Sequence, residues 1–174
     1  MKLGISCFLG VIAAVGIVSC GYHVSGKADL VPKSIQSIAI PAFSTMTTRY
    51  RLVDILPQQI GREFIARTRF RIVNNPNEAD AVLNGTINTV TAYPNVFDPA
   101  SGKATSIQIA VVLTVNLIQR STGRVIYSRP NMAFRQNYDV AVDPHQYFDE
   151  SGPALDRLSR DVARDVVSAI VENF

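Results

Sequence analysis

The side chains able to do chemistry are few and far apart. The 174-residue sequence holds two cysteines, Cys7 and Cys20, and two histidines, His23 and His145. Neither histidine belongs to an HExxH pattern or sits in a His/Cys cluster, so a metal site lacks ligands. The carboxylates are scattered or fall on helical patterns, and no pair stands out for general acid and base work. No Gly-x-Ser-x-Gly elbow, phosphate-cradling loop or dinucleotide fingerprint occurs. No catalytic residue, metal or cofactor is assigned, and an enzyme is not expected. Lys and Arg number 17 against 14 Asp and Glu, a net charge of +3. So small an excess argues against nucleic acid as a partner, while leaving room for a local basic patch facing an anionic glycolipid.

The first residues place the rest. Met1-Lys2 is a minimal positive start, and Leu3 to Ile17 is almost wholly apolar, with small residues interspersed. That is the pattern of a secretory signal peptide. It is too short for a comfortable transmembrane helix, which needs about 20 apolar residues. Ile17-Val18-Ser19-Cys20 resembles the bacterial lipoprotein signal, in which cleavage falls between Ser19 and Cys20. The resemblance implies that the Cys20 thiol carries diacylglycerol and that the new amino terminus is acylated too, palmitate being a typical chain. Several acyl chains make a stable anchor where one would be marginal. Cys7 leaves with the signal, so the mature chain has a single cysteine and no intramolecular disulfide.

Three segments are expected: a signal peptide over 1–19, a lipidated tether over 20–34, and one domain over 35–174. Within the domain, Ile35 to Phe43 is β-branched and apolar and reads as a strand. The polar run Ser44 to Thr48 reads as a loop. Leu52, Leu56, Ile60 and Phe64 recur at four-residue spacing and predict a helix from about Tyr50 to Arg67, kinked at Pro57. Phe70 to Val73 is a short strand, and Asn74 to Asn77 a turn. Ala81 to Tyr93 is a longer strand ended by Pro94, with Gly85 marking a bulge or a close approach. A loop over 95–103 follows.

The clearest alternation comes next. Ile107, Ile109, Val111, Leu113, Val115 and Leu117 face one way, towards a core. Ser121-Thr122-Gly123-Arg124 turns the hairpin, and a return strand runs from Val125 to about Tyr138. Pro130 within it points to an edge or a bulge. After a loop over 139–149, a helix from about Pro153 to Asn173 carries the apolar stripe Leu155, Leu158, Val162, Val166, Ala169 and Ile170. Asp156–Arg160 and Arg157–Asp161 have the spacing of exposed i,i+4 ion pairs. Helices with one apolar stripe need a sheet face to cover. The order β-α-(β)-β-β-β-α therefore predicts an α+β fold, a two-layer α/β sandwich with both helices on one face of a mostly antiparallel sheet. Among the cations, Lys103 and Arg135 lie nearest the two long loops and are candidate contacts for an anionic ligand.

Taken together, Cys20-Gly21-Tyr22-His23-Val24, the strand and helix over 35–64, Ala79-Asp80-Ala81-Val82-Leu83-Asn84-Gly85-Thr86-Ile87, the turn Ser121 to Tyr127 and the closing helix resemble the lipopolysaccharide-assembly lipoprotein family, the LptE-like proteins. The resemblance implies a lipid-anchored protein of the cell outer membrane with no enzymatic role. It implies a large β-barrel partner, the LPS-assembly protein LptD, whose lumen the family occupies and whose assembly it assists. Lipopolysaccharide transport to the outer leaflet would be the outcome. A different periplasm-facing lipoprotein, one that activates a peptidoglycan synthase or forms part of a secretion pore, would share the same β-α start.

Overall fold

The structure is a computed structural model and describes residues 34–47, 51–140 and 150–172. The expected signal, Cys20, all but the last residue of the tether, both histidines and the loop over 141–149 lie outside the described residues. The elements are β1 (Ser37–Ala39), β2 (Ser44–Thr45), α1 (Arg51–Arg67), β3 (Arg71–Val73), a 3₁₀ turn (Pro76–Glu78), β4 (Ala81–Phe97), β5 (Ala104–Gln119), β6 (Val125–Asp139) and α2 (Ser151–Glu172). They form a two-layer α+β sandwich, as expected. The sheet runs β3-β1-β4-β5-β6, with β2 pairing separately to β4. The short strands pair parallel, β1 with β3 and β4, and β2 with β4. The three long strands form an antiparallel meander.

One core joins the layers. Leu52, Leu56, Ile60 and Phe64 of α1 and Leu158, Val162, Val166 and Ile170 of α2 pack with Leu83, Ile87, Val111, Leu113, Val115 and Leu117 of the sheet. A buried side chain of this size contributes roughly 1.5–3 kcal/mol. The helices lie side by side and parallel. At their N-terminal ends the Arg51 guanidinium abuts Gly152. At their C-terminal ends Arg67 Nη1 donates to Ser168 Oγ at 2.7 Å.

Pro57 is buried inside α1. Its missing N–H leaves the carbonyl of Val53, four residues back, without a helical donor. The Phe43 N–H supplies one, at 3.2 Å. The ring of Phe43 in turn lies over Gly85, where an added Cβ would come within 2.3 Å of it. Gly85 is thus the close approach, with regular pairing to Val115 and no bulge. These contacts tie the helix, the chain after β1 and strand β4 together.

Several expectations are corrected. Ser44 and Thr45 are not loop; they pair with Thr86 and Ile87. β4 does not stop at Pro94 but runs through it to Phe97, with register shifts on either side of Val96. Among the described residues no strand flanks β4 opposite β5 beyond Ile87, so a proline without an N–H is tolerated at that edge. The loop over 95–103 shrinks to a turn. Ile107 is only half-buried, since it lies towards the end of the sheet that projects from the helices. The two expected α2 ion pairs do not form: Arg157 faces Glu150 at 3.8 Å and Asp161 faces Arg164 at 3.7 Å. Exposed pairs contribute little, so spacing alone does not select among such partners. Pro130 does mark a bulge. Leu113 pairs with Met132 but Val115 with Arg129, and Asn131 takes a positive φ of 54°.

Candidate functional site

Two parts of the sheet escape the helices, and both are surfaces. The first is the projecting end of the β4–β5 hairpin. A 17-residue strand spans roughly 55 Å and a 17-residue helix about 25 Å, so β4 outruns α1. Every residue from Thr91 to Phe97 is exposed. Tyr93, Val96 and Phe97 show 43%, 51% and 56% of their surface, so this end carries aromatic and branched side chains in water.

The turn that closes the hairpin is clasped. Asp98 Oδ2 accepts from the Ser101 N–H at 2.8 Å and from the Ser101 hydroxyl. The Asp98 N–H donates to the Lys103 carbonyl at 2.8 Å, and the Gly102 N–H to the Asp98 carbonyl at 2.8 Å. Gly102 has φ of 66°, a conformation open to glycine. Donation by the Ser101 hydroxyl, then by its N–H and that of Ala100, holds the Asp98 carboxyl below its usual range. The turn thus keeps a charged carboxylate beside Lys103.

The second surface is the sheet face turned away from the helices. It carries hydrogen-bonded amides and hydroxyls set among the apolar Ala110, Val112, Ile118 and Ala133. Gln108 accepts from the Tyr93 hydroxyl, and its Nε2 donates to Asn137 Oδ1 at 3.0 Å, a row across β4, β5 and β6. Further along, Asn88 Nδ2 donates to Thr114 Oγ1 at 3.0 Å and to Asn131 Oδ1 at 3.3 Å. Ser128 donates to Asn116 at 2.7 Å, and Ser44 shares a hydrogen with Thr86 at 2.9 Å.

Arg135 stands on this face of β6, opposite Ala110, which is itself opposite Thr91. It is not a loop cation. Lys103 lies in the hairpin turn, so the two are separated by six residues of β5, about 20 Å, and the structure does not bring them together. Neither is ion-paired among the described residues. Among those residues no group of three His, Cys, Asp or Glu could hold a metal. Among the described residues no helix is long and apolar enough to cross a membrane.

The Ala79-Asp80 step proves structural. Asp80 Oδ2 accepts from the N–H of Gln36 and of Ser37, both at 2.9 Å, and from the Ser37 hydroxyl at 2.8 Å. The Gln36 N–H is the main cause holding its carboxyl below the usual range, helped by the Ser37 hydroxyl and N–H and by Arg71. One carboxylate thus fastens β1 to β4.

The fold is that of small two-layer α+β domains solved for several bacterial lipoproteins. An uncharacterised lipoprotein B from Nitrosomonas europaea aligns with a TM-score of 0.56 at 11% identity, over 79% of this chain and 85% of that one. The PelC dodecamer from Paraburkholderia phytofirmans gives a TM-score of 0.51 at 17% identity, covering 79% and 88%. A minor lipoprotein from Acinetobacter baumannii gives 0.50 at 14%, covering 80% and 92%. Identities this low establish the fold alone. No curated protein matches the chain in sequence. A family model does: the LptE model, described as lipopolysaccharide-assembly, matches residues 35–170. The chain belongs to the LptE family, a non-enzymatic family of lipopolysaccharide-assembly lipoproteins that associate with lipopolysaccharide transport components.

Proposed function

We propose that this chain is an outer-membrane lipoprotein, cleaved between Ser19 and Cys20 and anchored through acylated Cys20, that plugs an LPS-translocating β-barrel of the LptD kind. The tether over 20–34 keeps the domain over 35–174 near the membrane, within about 50 Å at full stretch. The plug assists assembly of the barrel and supports passage of lipopolysaccharide to the outer leaflet.

The observation that carries this reading is the family match over residues 35–170. The shape supports it. Large barrels have polar lumens, and the hydrogen-bonded amides and hydroxyls of the outer sheet face are suited to such a wall. The projecting hairpin gives a plug an end that reaches up the lumen. Lys103 and Arg135 are the cations there that would meet the phosphates of lipopolysaccharide, each separately, given their spacing.

A mild-detergent pull-down of the tagged protein from outer membranes, combined with labelled palmitate, tests both halves. The expected result is label in the protein, lost in Cys20→Ser, and a roughly stoichiometric large β-barrel beside it. Recovery of a peptidoglycan synthase, or only of further copies of this chain, would favour the activator or the secretion-pore subunit instead.

A further inference from the structure

The end of the sandwich opposite the hairpin tip is rich in arginine, and it is also where the described chain begins. Ser34 leads directly into β1, whose Ser37 is level with Arg71 of β3. In the same row the Asp80 N–H donates to the Ser37 carbonyl and the Arg120 N–H to the Asp80 carbonyl, at 3.2 and 2.9 Å. Arg71 and Arg120 therefore flank the start of β1. Arg67 ends α1 and Arg69 follows it on the same side, and Arg124 lies in the β5–β6 turn beyond Arg120.

Four carboxylates, Glu63, Glu78, Asp80 and Glu172, share this end with the five arginines, and Glu63 alone of them is ion-paired among the described residues. Asp80 faces inward onto Gln36 and Ser37. Glu63 pairs with Arg67 at 3.4 Å, and Glu78 accepts from the Asn75 amide at 2.9 Å. Glu172 is exposed at the end of α2. Arg69, Arg71, Arg120 and Arg124 are exposed and have no ion pair among the described residues; Arg120 Nε donates to the Ala79 carbonyl at 2.7 Å, and Arg71 acts on the Asp80 carboxylate.

We infer that this arginine end is a docking surface for the anionic phospholipid headgroups of the leaflet that holds the anchor. The inference rests on the anchored reading above, because a tether running from Cys20 to Ser34 delivers this end to the bilayer. The guanidinium groups add an electrostatic contact to the acyl chains and fix which end of the sandwich faces the membrane. Lys103 sits at the far end of β5, roughly 50 Å away, and takes no part.

The test uses the mature chain, residues 20–174, made in the cytosol so that Cys20 stays unacylated. Its sedimentation with phosphatidylcholine vesicles containing about one-third phosphatidylglycerol is compared with neutral vesicles. Wild type is expected to bind the anionic vesicles only, and less as salt rises. The triple variant Arg69→Gln, Arg71→Gln, Arg124→Gln removes three exposed charges and should bind on the order of 100-fold more weakly, about fivefold per charge. Lys103→Gln with Arg135→Gln should change binding by less than about twofold. Equal binding to neutral vesicles, insensitivity to salt, an unaffected triple variant, or an equal loss in the far-end pair would each overturn the inference. The salt series needs no variant, and palmitate labelling of Cys20 is read separately, so failure of the patch and failure of the anchor are different results.

Discussion

Strand β4 is two different objects end to end. From Ala81 to Ile87 it lies between β5 on one side and β1 and β2 on the other, with helices beneath, and Ala81, Leu83, Gly85 and Ile87 are buried in strict alternation. From Thr89 to Phe97 it pairs, among the described residues, only with β5, and from Thr91 onward every residue is exposed. A register shift between Ile87 and Thr89 marks the divide. The β5 ladder runs along both halves, and among the described residues only the inner half is also paired on its other edge. What also differs is apolar cover, and with it the kind of selection each half can show. The inner half is constrained by packing. The outer half is free to present Tyr93, Val96 and Phe97 to whatever it meets.

Mutations should separate the halves by size of effect. Phe64 is fully buried and meets Phe70 edge-to-face at 6.3 Å, so Phe64→Ala should lose about 3–5 kcal/mol in a denaturant titration. Gly85→Ala drives a methyl into the Phe43 ring and should lose roughly 1–3 kcal/mol; full stability in that variant would mean that the ring can move aside and that the Phe43 lock is loose.

Asp80→Asn weakens the clasp on β1, at about 1–2 kcal/mol near neutral pH. Its sign with pH follows from the lowered pKa. The carboxylate's contribution is complete above the ordinary carboxyl pKa near 4 and is lost as pH falls through the lowered folded value. The gap between wild type and Asp80→Asn should therefore close below about pH 4, and a gap that persists there would assign the effect to shape. Smallest of all, Phe97→Ser in the outer half should shift stability by less than about 0.5 kcal/mol, while impairing the function that the hairpin serves.

How much of this could be read from residues alone follows the same division. Where an element has one buried face, periodicity locates it. The alternation from Ile109 to Leu117, the four-residue spacing from Leu52 to Phe64 and the stripe from Leu155 to Ile170 put β5, α1 and α2 in place. The bulge at Pro130 was legible as well, because Tyr127 and Met132 are both apolar but out of phase. Where cover is absent, periodicity says nothing. Pro94 reads as a stop, since a proline breaks a central strand, and only the missing neighbour beyond Ile87 shows why β4 continues. Ser44 and Thr45 are polar and few, and their pairing depends on the Phe43 lock rather than on pattern. Lys103 and Arg135 look close in a topology of loops, but an extended strand sets them about 20 Å apart. The arginine end could not be seen in a balanced composition. It arises because the parallel pairing of β1 brings the turns after α1 and β5 to the same pole.

The central claim, that the outer half of the hairpin lies inside a partner barrel, is tested most directly by photo-crosslinking in living cells. A crosslinking residue is placed at Val96 in the projecting half, and separately at Ile65 on the exposed side of α1. The account predicts an adduct with one large outer-membrane β-barrel from Val96, stronger than any from Ile65. An adduct with a periplasmic enzyme or with a second copy of this chain from Val96, or none with a barrel, would contradict it.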